Sequence, residues 1–100
     1  MTDYKRSAAE IMHQATHDPL TDLYNRAAFD NELNNSLLRA QRHPTNHVAL
    51  LLIDLDDFKQ VNDNYGHQAG DQLLQTLALR FKSMQRKNDF VCRLGGDEFA

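Results

Sequence analysis

The residues best suited to chemistry are carboxylates that follow apolar, strand-like segments. Asp54 directly follows the apolar run 48–53 (VALLLI), while Asp97 and Glu98 follow a pair of glycines at positions 95–96. Open α/β sheets usually bind their ligands at the carboxyl ends of strands. A turn between two strands can carry Asp97 and Glu98 back beside Asp54, where the negative charges would repel unless a divalent cation lay among them. This pattern predicts a site for Mg²⁺ together with a nucleoside triphosphate.

Each of these carboxylates also has a simpler interpretation. A single aspartate at the end of a strand is more often a helix cap or a solvated loop residue than a metal ligand. Asp54 is therefore interpreted as a metal ligand only together with Asp97 and Glu98. We interpret Asp56 and Asp57 as helix-capping residues.

Further polar side chains follow Asp54 along the same segment. Lys59 lies within one helical turn of the strand end, where a point positive charge could hold a phosphate. Asn62 and Asp71 together could read the acceptor and donor groups of a guanine base. On residue types alone, a solvated lysine is an equal alternative for Lys59, and capping roles for Asn62 and Asp71 and an ordinary loop role for His67 are simpler.

The elements that must position these residues follow from apolar periodicity. Tyr4, Ala8, Ile11 and Ala15 are spaced by four, three and four residues, the rhythm of about two coiled-coil heptads. This segment is either a frayed N-terminal helix or the end of a longer signalling helix that pairs with a second copy. The polar stretch that follows contains Pro19 and breaks this helix near residue 17.

The rest of the chain alternates helical and strand-like patterns, which predicts an α/β fold. We predict a central strand over residues 48–53, covered on both faces, because the run is apolar without alternation. A second strand is predicted over residues 90–94, before the glycine turn. The predicted helices cover residues 26–42, capped by Asn25, with an apolar stripe of Phe29, Leu33 and Leu37 and an end at Pro44; residues 57–64; and residues 68–86, with Ala69, Leu73, Leu74, Leu77, Phe81 and Met84 on one face.

Length, charge and cysteine content exclude several classes of protein. The 100 residues allow one domain with one modest core. Eleven Lys and Arg residues against fourteen Asp and Glu residues give a net charge of −3, which argues against binding nucleic acid or membranes through bulk positive charge. Cys92 is the only cysteine and predicts a buried free thiol. We expect a cytoplasmic protein, with any membrane anchor outside this segment, because no apolar run approaches roughly 20 residues.

Three motifs in order resemble the GGDEF family of diguanylate cyclases. They are DPLTDLYNR at residues 18–26, DLDDFKQVNDNYGHQAGD at residues 54–71 and RLGGDEF at residues 93–99. The resemblance covers residues 17–100 and implies the first half of a nucleotidyl-cyclase-like domain, with a central β-sheet flanked by helices. Residues 1–16 would form an N-terminal signalling or linker helix. The activity implied is condensation of two GTP molecules into cyclic di-GMP, with release of pyrophosphate.

The resemblance also implies roles for individual residues. Asp54, Asp97 and the backbone carbonyl of Leu55 would bind Mg²⁺, and Glu98 would support that site. Asp97 would also be the candidate base near the attacking ribose hydroxyl, and Lys59 would stabilise charge on the phosphates. The residues implied to bind the substrate are Asn62, His67, Asp71, Gly95 and Gly96. Arg86 and Asp89 match the RxxD pattern at which members of this family bind their product as an inhibitor.

Catalysis in this family requires two domains that face each other, so the resemblance implies a homodimer. An alternative is a catalytically inactive domain that only binds GTP or cyclic di-GMP and signals through its N-terminal helix. A third interpretation is a structural or dimerising segment without a ligand. Because the chain stops at Ala100, we expect the partner strand of the signature hairpin to be missing and the 100-residue chain alone to be inactive.

Overall fold

The computed structural model describes the backbone of residues 3–100 and the side chains from residue 8 onward. The side chain of Tyr4, the first position of the predicted coiled-coil rhythm, lies outside the described residues. The elements, in chain order, are α1 (Asp3–Thr16), α2 (Arg26–Arg42), β1 (Ile53–Asp54), α3 (Phe58–Tyr65), α4 (His67–Met84), β2 (Arg93–Gly95) and β3 (Glu98–Phe99).

The starts of α2 and α3 differ in their capping. Asn25 precedes α2 in an extended conformation, and its side-chain oxygen accepts a hydrogen bond from the Ala28 amide at 2.9 Å, as predicted. The capping role predicted for Asp57 is wrong in its chemistry, because this residue precedes α3 with φ 62° and makes no side-chain cap bond. A side-chain cap needs an extended backbone at that position, which the left-handed conformation does not provide. Asp56 lies exposed in the same turn.

The sheet has three antiparallel strands in the order β1-β3-β2. Ile53 lies opposite Phe99 and Asp54 lies opposite Glu98, while Arg93 also pairs with Phe99. The strand expected to be missing is therefore present as β3, which occupies the middle of the sheet. The prediction that the signature hairpin lacks its partner strand is wrong.

The predicted central strand over residues 48–53 is wrong in both its length and its burial. Only Ile53 of this run belongs to β1, and β1 is an edge strand with β3 as its one neighbour in the described sheet. Leu51 and Leu52 are 66% and 69% exposed. An apolar run becomes a two-sided buried strand only when layers cover both of its faces, and residues 3–100 place no such layers over it.

The core lies between α4, the sheet and the turn that follows α1. Its buried residues are Leu23, Leu74, Ala78 and Phe99. The ring of Phe81 meets that of Phe99 edge to face, with centroids 5.3 Å apart, a favourable aromatic geometry. The predicted apolar face of α4 is thus largely confirmed, but Met84 is 67% exposed because the core ends before the last turn of the helix. Cys92 is buried and free, as predicted.

The turn between α1 and α2 is held by its own hydrogen bonds and by a contact with α4. The Asp18 carboxylate accepts hydrogen bonds from the amide and hydroxyl of Thr21 at 2.9 and 2.8 Å. The side-chain amide of Gln75 in α4 donates to the Leu20 carbonyl at 3.2 Å.

Among the described residues, no helix is long and apolar enough to cross a membrane.

Candidate metal and nucleotide site

The hairpin carries the signature carboxylates back to the end of β1. Asp54 and Glu98 are directly opposite each other in the β1–β3 pair, so their side chains lie on the same face of the sheet. The opposite face carries Ile53 and Phe99, which belong to the core. The Leu55 amide donates to the Asp97 carbonyl at 3.3 Å, which brings the turn over the end of β1. The juxtaposition predicted for Asp54, Asp97 and Glu98 is therefore observed.

The clustered negative charges change the acidity of Asp54. The charge of Asp97 is the largest cause that raises the pKa of the Asp54 carboxyl above its usual value, followed by desolvation, a hydrogen bond with Asp97 and the charges of Glu98 and Asp56. Like charges that approach each other favour the protonated form. A cation placed between Asp54 and Asp97 would relieve this repulsion.

The donor set suits a metal ion that takes only a few ligands from the protein. Among the side chains that the structure describes, those of residues 8–100, no group of three or more His, Cys, Asp or Glu is arranged to hold a metal by itself. Asp54 and Asp97 supply carboxylate oxygens, and Leu55 supplies a nearby backbone carbonyl. Mg²⁺ commonly binds one or two protein carboxylates and completes its shell with water and substrate phosphates. The residues present fit that mode and do not form a closed metal cage.

The glycine turn is open on the side where side chains would stand. Gly95 has φ 152° and Gly96 has φ 51°, and an added Cβ at either position would meet none of the described atoms within 4 Å. Positive φ values of this kind favour glycine. The absence of neighbouring atoms leaves room for a ligand close to this backbone.

Arg93 holds the turn, and sequence reasoning did not single it out. Its guanidinium donates to the Gly96 carbonyl through Nε at 3.0 Å and through Nη2 at 2.9 Å. The same side chain donates through Nη1 to the Asp18 carboxylate at 3.0 Å. The only signal available was that Asp18 and Arg93 both begin recognised motifs.

The remaining predicted site residues lie on α3 and α4. Lys59, His67 and Asp71 are exposed, and no contact in the described structure assigns them a ligand. Asn62 is different, because its side-chain oxygen is buried without a hydrogen-bond partner. These helices pack on each other, which brings Asn62 of α3 against Gly70 of α4.

The predicted product site lies in the turn after α4. Arg86 and Asp89 are both exposed, and the Asp89 carboxylate accepts a hydrogen bond from the Arg86 amide at 2.8 Å. This bond folds the turn so that both residues occupy one short loop. The Arg86 side chain lies at the surface of this loop.

Two cavities differ in their relation to the carboxylates. A cavity of about 340 Å³ is lined in part by Arg26, Asp54 and Glu98. A larger open cleft of about 1360 Å³ lies between α2, α4 and residues 45–51 and contains neither Asp54 nor Asp97. More than half of the lining of the larger cleft is apolar. The candidate site is therefore identified by its carboxylates and not by the volume of the cavity.

Comparison with known families and proteins relates the sequence of this chain to diguanylate cyclases. The family model described as "Diguanylate cyclase, GGDEF domain" matches residues 15–100. The chain is 49% identical over 92 residues to the diguanylate cyclase TpbB of Pseudomonas aeruginosa, covering 92% of this chain and 21% of TpbB. It is 46% identical over 99 residues to the probable diguanylate cyclase DgcE of Escherichia coli, covering 99% of this chain and 9% of DgcE.

Solved structures show the same likeness. The GGDEF domain of TpbB from Pseudomonas aeruginosa superimposes with a TM-score of 0.78 at 48% identity, covering 83% of this chain and 48% of that one. The coiled coil and GGDEF domain of DgcB from Caulobacter crescentus, solved with cyclic di-GMP, superimposes with a TM-score of 0.82 at 33% identity, covering 95% of this chain and 49% of that one. The chain thus spans about half the length of these structures and a smaller share of the full-length relatives.

Proposed function

Because this chain belongs to the GGDEF family of diguanylate cyclases, we propose that it forms part of a domain that condenses two GTP molecules into cyclic di-GMP. Pyrophosphate leaves at each of the two condensations. The observation that carries the proposal is the meeting of Asp54, Asp97 and Glu98 at one end of the sheet. Their repulsion gives the site a need for positive charge that Mg²⁺ bound to a nucleotide would meet.

In the proposed mechanism the carboxylates hold the metal and one of them also moves a proton. Asp54, Asp97 and the Leu55 carbonyl hold Mg²⁺, with Glu98 supporting the site. When bound, Mg²⁺ supplies electrostatic stabilisation of the charge that develops on the phosphates. Asp97 accepts the proton of the 3′-hydroxyl of one GTP as that oxygen attacks the α-phosphorus of the other. Positioning and electrostatics supply most of the rate in phosphoryl transfer.

Other residues of the chain bind the substrate. Lys59 offsets negative charge on the phosphates, and Gly95 and Gly96 let the backbone approach the triphosphate in the open space beside the turn. Asn62 and Asp71 recognise the guanine base, and His67 lies near the substrate at the start of α4.

The reaction needs a second copy of the domain, because one site holds one GTP. α1 supports this part of the proposal, since its apolar residues Ile11 and Met12 are 65% and 74% exposed. Apolar residues on a free helix face are a common site of helix pairing. We further propose that residues 1–16 form a signalling or linker helix and that residues 17–100 form the first half of the cyclase domain.

Product control is the last part of the proposal. Arg86 and Asp89 form a site at which cyclic di-GMP binds and inhibits the enzyme. The guanidinium of the exposed Arg86 side chain can pair with a phosphate or stack on a base. A cytoplasmic location, where GTP is available, stays a prediction.

The test is product formation by the full-length parent protein from GTP and Mg²⁺, with cyclic di-GMP separated and identified. The Asp97→Ala variant should form no product, while Asp30→Ala, an exposed change on α2, should retain the activity. GTP binding without product in the unmodified protein would reject the cyclase and favour a GTP or cyclic di-GMP binding module. Failure to bind either nucleotide would favour a structural or dimerising role.

A further inference from the structure

Asn62 of α3 occupies the space where a side chain at Gly70 of α4 would stand. A Cβ atom added to Gly70 would collide with the side-chain oxygen of Asn62. It would also lie 2.9 Å from Cγ of Asn62 and 3.3 Å from Cζ of Phe58. Gly70 is itself buried. Position 70 therefore has no room for any side chain while the Asn62 amide keeps this orientation.

The contact fixes which end of the Asn62 amide faces inward. The oxygen is buried and has no hydrogen-bond partner, and it lies against the Cα of Gly70, where a weak Cα–H···O contact is available. The reverse orientation would bury an amide NH₂ group without an acceptor. In the protein backbone, buried N–H groups without partners are rarer than under-satisfied carbonyl oxygens, and we apply the same preference to the amide of Asn62. The NH₂ group consequently faces outward, and it makes no hydrogen bond within the described residues.

The presence of glycine at position 70, inside α4, needs a structural explanation. Gly70 lies within α4, where glycine is less favourable than alanine because its backbone is freer in the unfolded chain. Its φ is not in the left-handed region, so the backbone conformation does not require glycine here. The remaining explanation on the structure is the space that the Asn62 amide occupies.

We infer that Gly70 is a positioning residue for base recognition, because it seats the Asn62 oxygen inward and presents the NH₂ group as a donor to an acceptor atom of the base. This inference rests on the proposed function and assigns different groups of the guanine base to Asn62 and Asp71. Asn62 contributes only donors, so the donors of the guanine edge fall to a carboxylate, and Asp71 is the residue next to Gly70 in sequence. Gly70 itself does not touch the substrate.

The experiment compares two ligands on the full-length protein carrying Gly70→Ala. Binding of GTP and of inorganic tripolyphosphate, each with Mg²⁺, is measured by calorimetry. We expect Gly70→Ala to weaken GTP binding about tenfold, the size of one lost hydrogen bond, and to leave tripolyphosphate binding unchanged. Thr76→Gly, an exposed substitution in α4, is the control for a general loss of helix stability and should leave both affinities unchanged.

A second measurement tests the contact itself through unfolding midpoints. Gly70→Ala should lower the midpoint in the unmodified background, and the loss should disappear or reverse when Asn62 is also replaced by Ala. An equal loss in both backgrounds would overturn the inference, as would equal weakening of GTP and tripolyphosphate binding or no weakening of either. If the unmodified protein binds GTP without making cyclic di-GMP, the proposed reaction fails while the difference between the two ligands still supports the role of Gly70.

Discussion

Arg93 Nη1 lies 3.0 and 3.2 Å from the two carboxylate oxygens of Asp18, a pair that joins positions 75 residues apart. Both side chains are only 15% exposed. Because Arg93 also donates to the Gly96 carbonyl, the pair connects the turn after α1 to the turn that carries Asp97. The position of a candidate catalytic carboxylate therefore depends on a contact made next to the N-terminal helix.

Replacing Asp18 with Asn should destabilise the domain strongly. Removing one partner of a largely buried ion pair leaves the other charge uncompensated, which costs about 3 kcal/mol. The matched control is Asp22→Asn in the same turn, since Asp22 is 62% exposed and its pairs with His13 and Lys82 lie at the surface. Surface pairs contribute about 0 to 1 kcal/mol. Urea unfolding of the full-length protein at pH 7 measures both, and equal losses would contradict the importance of the buried pair.

The stabilisation by Asp18 should disappear in acid. Burial alone would raise the pKa of Asp18, but the hydrogen bonds from Thr21 and the charge of Arg93 outweigh it and lower the pKa below the usual 3.8. A carboxyl with a lowered pKa stabilises the folded state above its unfolded pKa and loses that effect as the pH falls through the folded value. The difference in melting temperature between the unmodified protein and Asp18→Asn should therefore be full at pH 7 and shrink below about pH 4. A difference that stays constant to pH 3 would contradict this assignment.

The sequence predicts the helices and the family better than it predicts the contacts between elements. The periodic residues of α2 and α4 are local signals, and the three motifs correctly indicated the GGDEF family. The predicted turn at Gly95 and Gly96 correctly indicated the meeting of Asp54 with Asp97. The exposure of residues 48–52 was not predictable, because burial depends on what covers a strand. The same limit applies to Asp18 with Arg93 and to Asn62 with Gly70, since their side chains meet only through the packing of separate elements.

Cys92 should resist modification in the folded protein. Its side chain is fully buried, and burial followed by the charge of Glu32 raises the pKa of the thiol to about 12. The thiolate is the reactive form of cysteine. Because the pKa of the Cys92 thiol is raised, little thiolate is present at neutral pH. A disulfide reagent should react slowly at pH 8 in buffer and rapidly in urea. Fast reaction in buffer would show that the Cys92–Ala100 backbone pairing opens readily in solution.

Replacing Asp54 with Asn should stabilise the metal-free domain at pH 7 while abolishing its response to Mg²⁺. The pKa of Asp54 is raised first by Asp97, so ionisation of Asp54 disfavours the folded state as the pH rises above 3.8. Removing the charge removes this penalty and also removes a proposed metal ligand. Melting temperatures with and without Mg²⁺ measure both effects, with Asp30→Asn as the charge-matched control. A lower melting temperature for Asp54→Asn, or an unchanged Mg²⁺ shift, would contradict the proposed site.

Asn25 joins α1 to α2 through the two ends of one amide, and its substitutions should separate the two roles. Its oxygen caps α2, while its NH₂ group donates to the carbonyls of Gln14 and Ala15 at 3.3 and 3.2 Å. Asn25→Asp keeps the acceptor, loses the donors and places a negative charge beside the carbonyl end of α1, which is unfavourable there and favourable at the start of α2. Asn25→Ala loses both functions, and loss of the cap costs about 1 kcal/mol.

Hydrogen exchange followed by mass spectrometry distinguishes these outcomes in the full-length protein. Asn25→Asp should speed exchange in α1 with little change in the urea midpoint, because the cap of α2 remains. Asn25→Ala should speed exchange in α1 and also lower the midpoint. If α1 exchanges equally in the Asp variant and the unmodified protein, the NH₂ contacts of Asn25 do not hold α1 on the domain. The connection would then depend on backbone contacts such as the bond from the Asn25 amide to the Thr16 carbonyl at 2.9 Å.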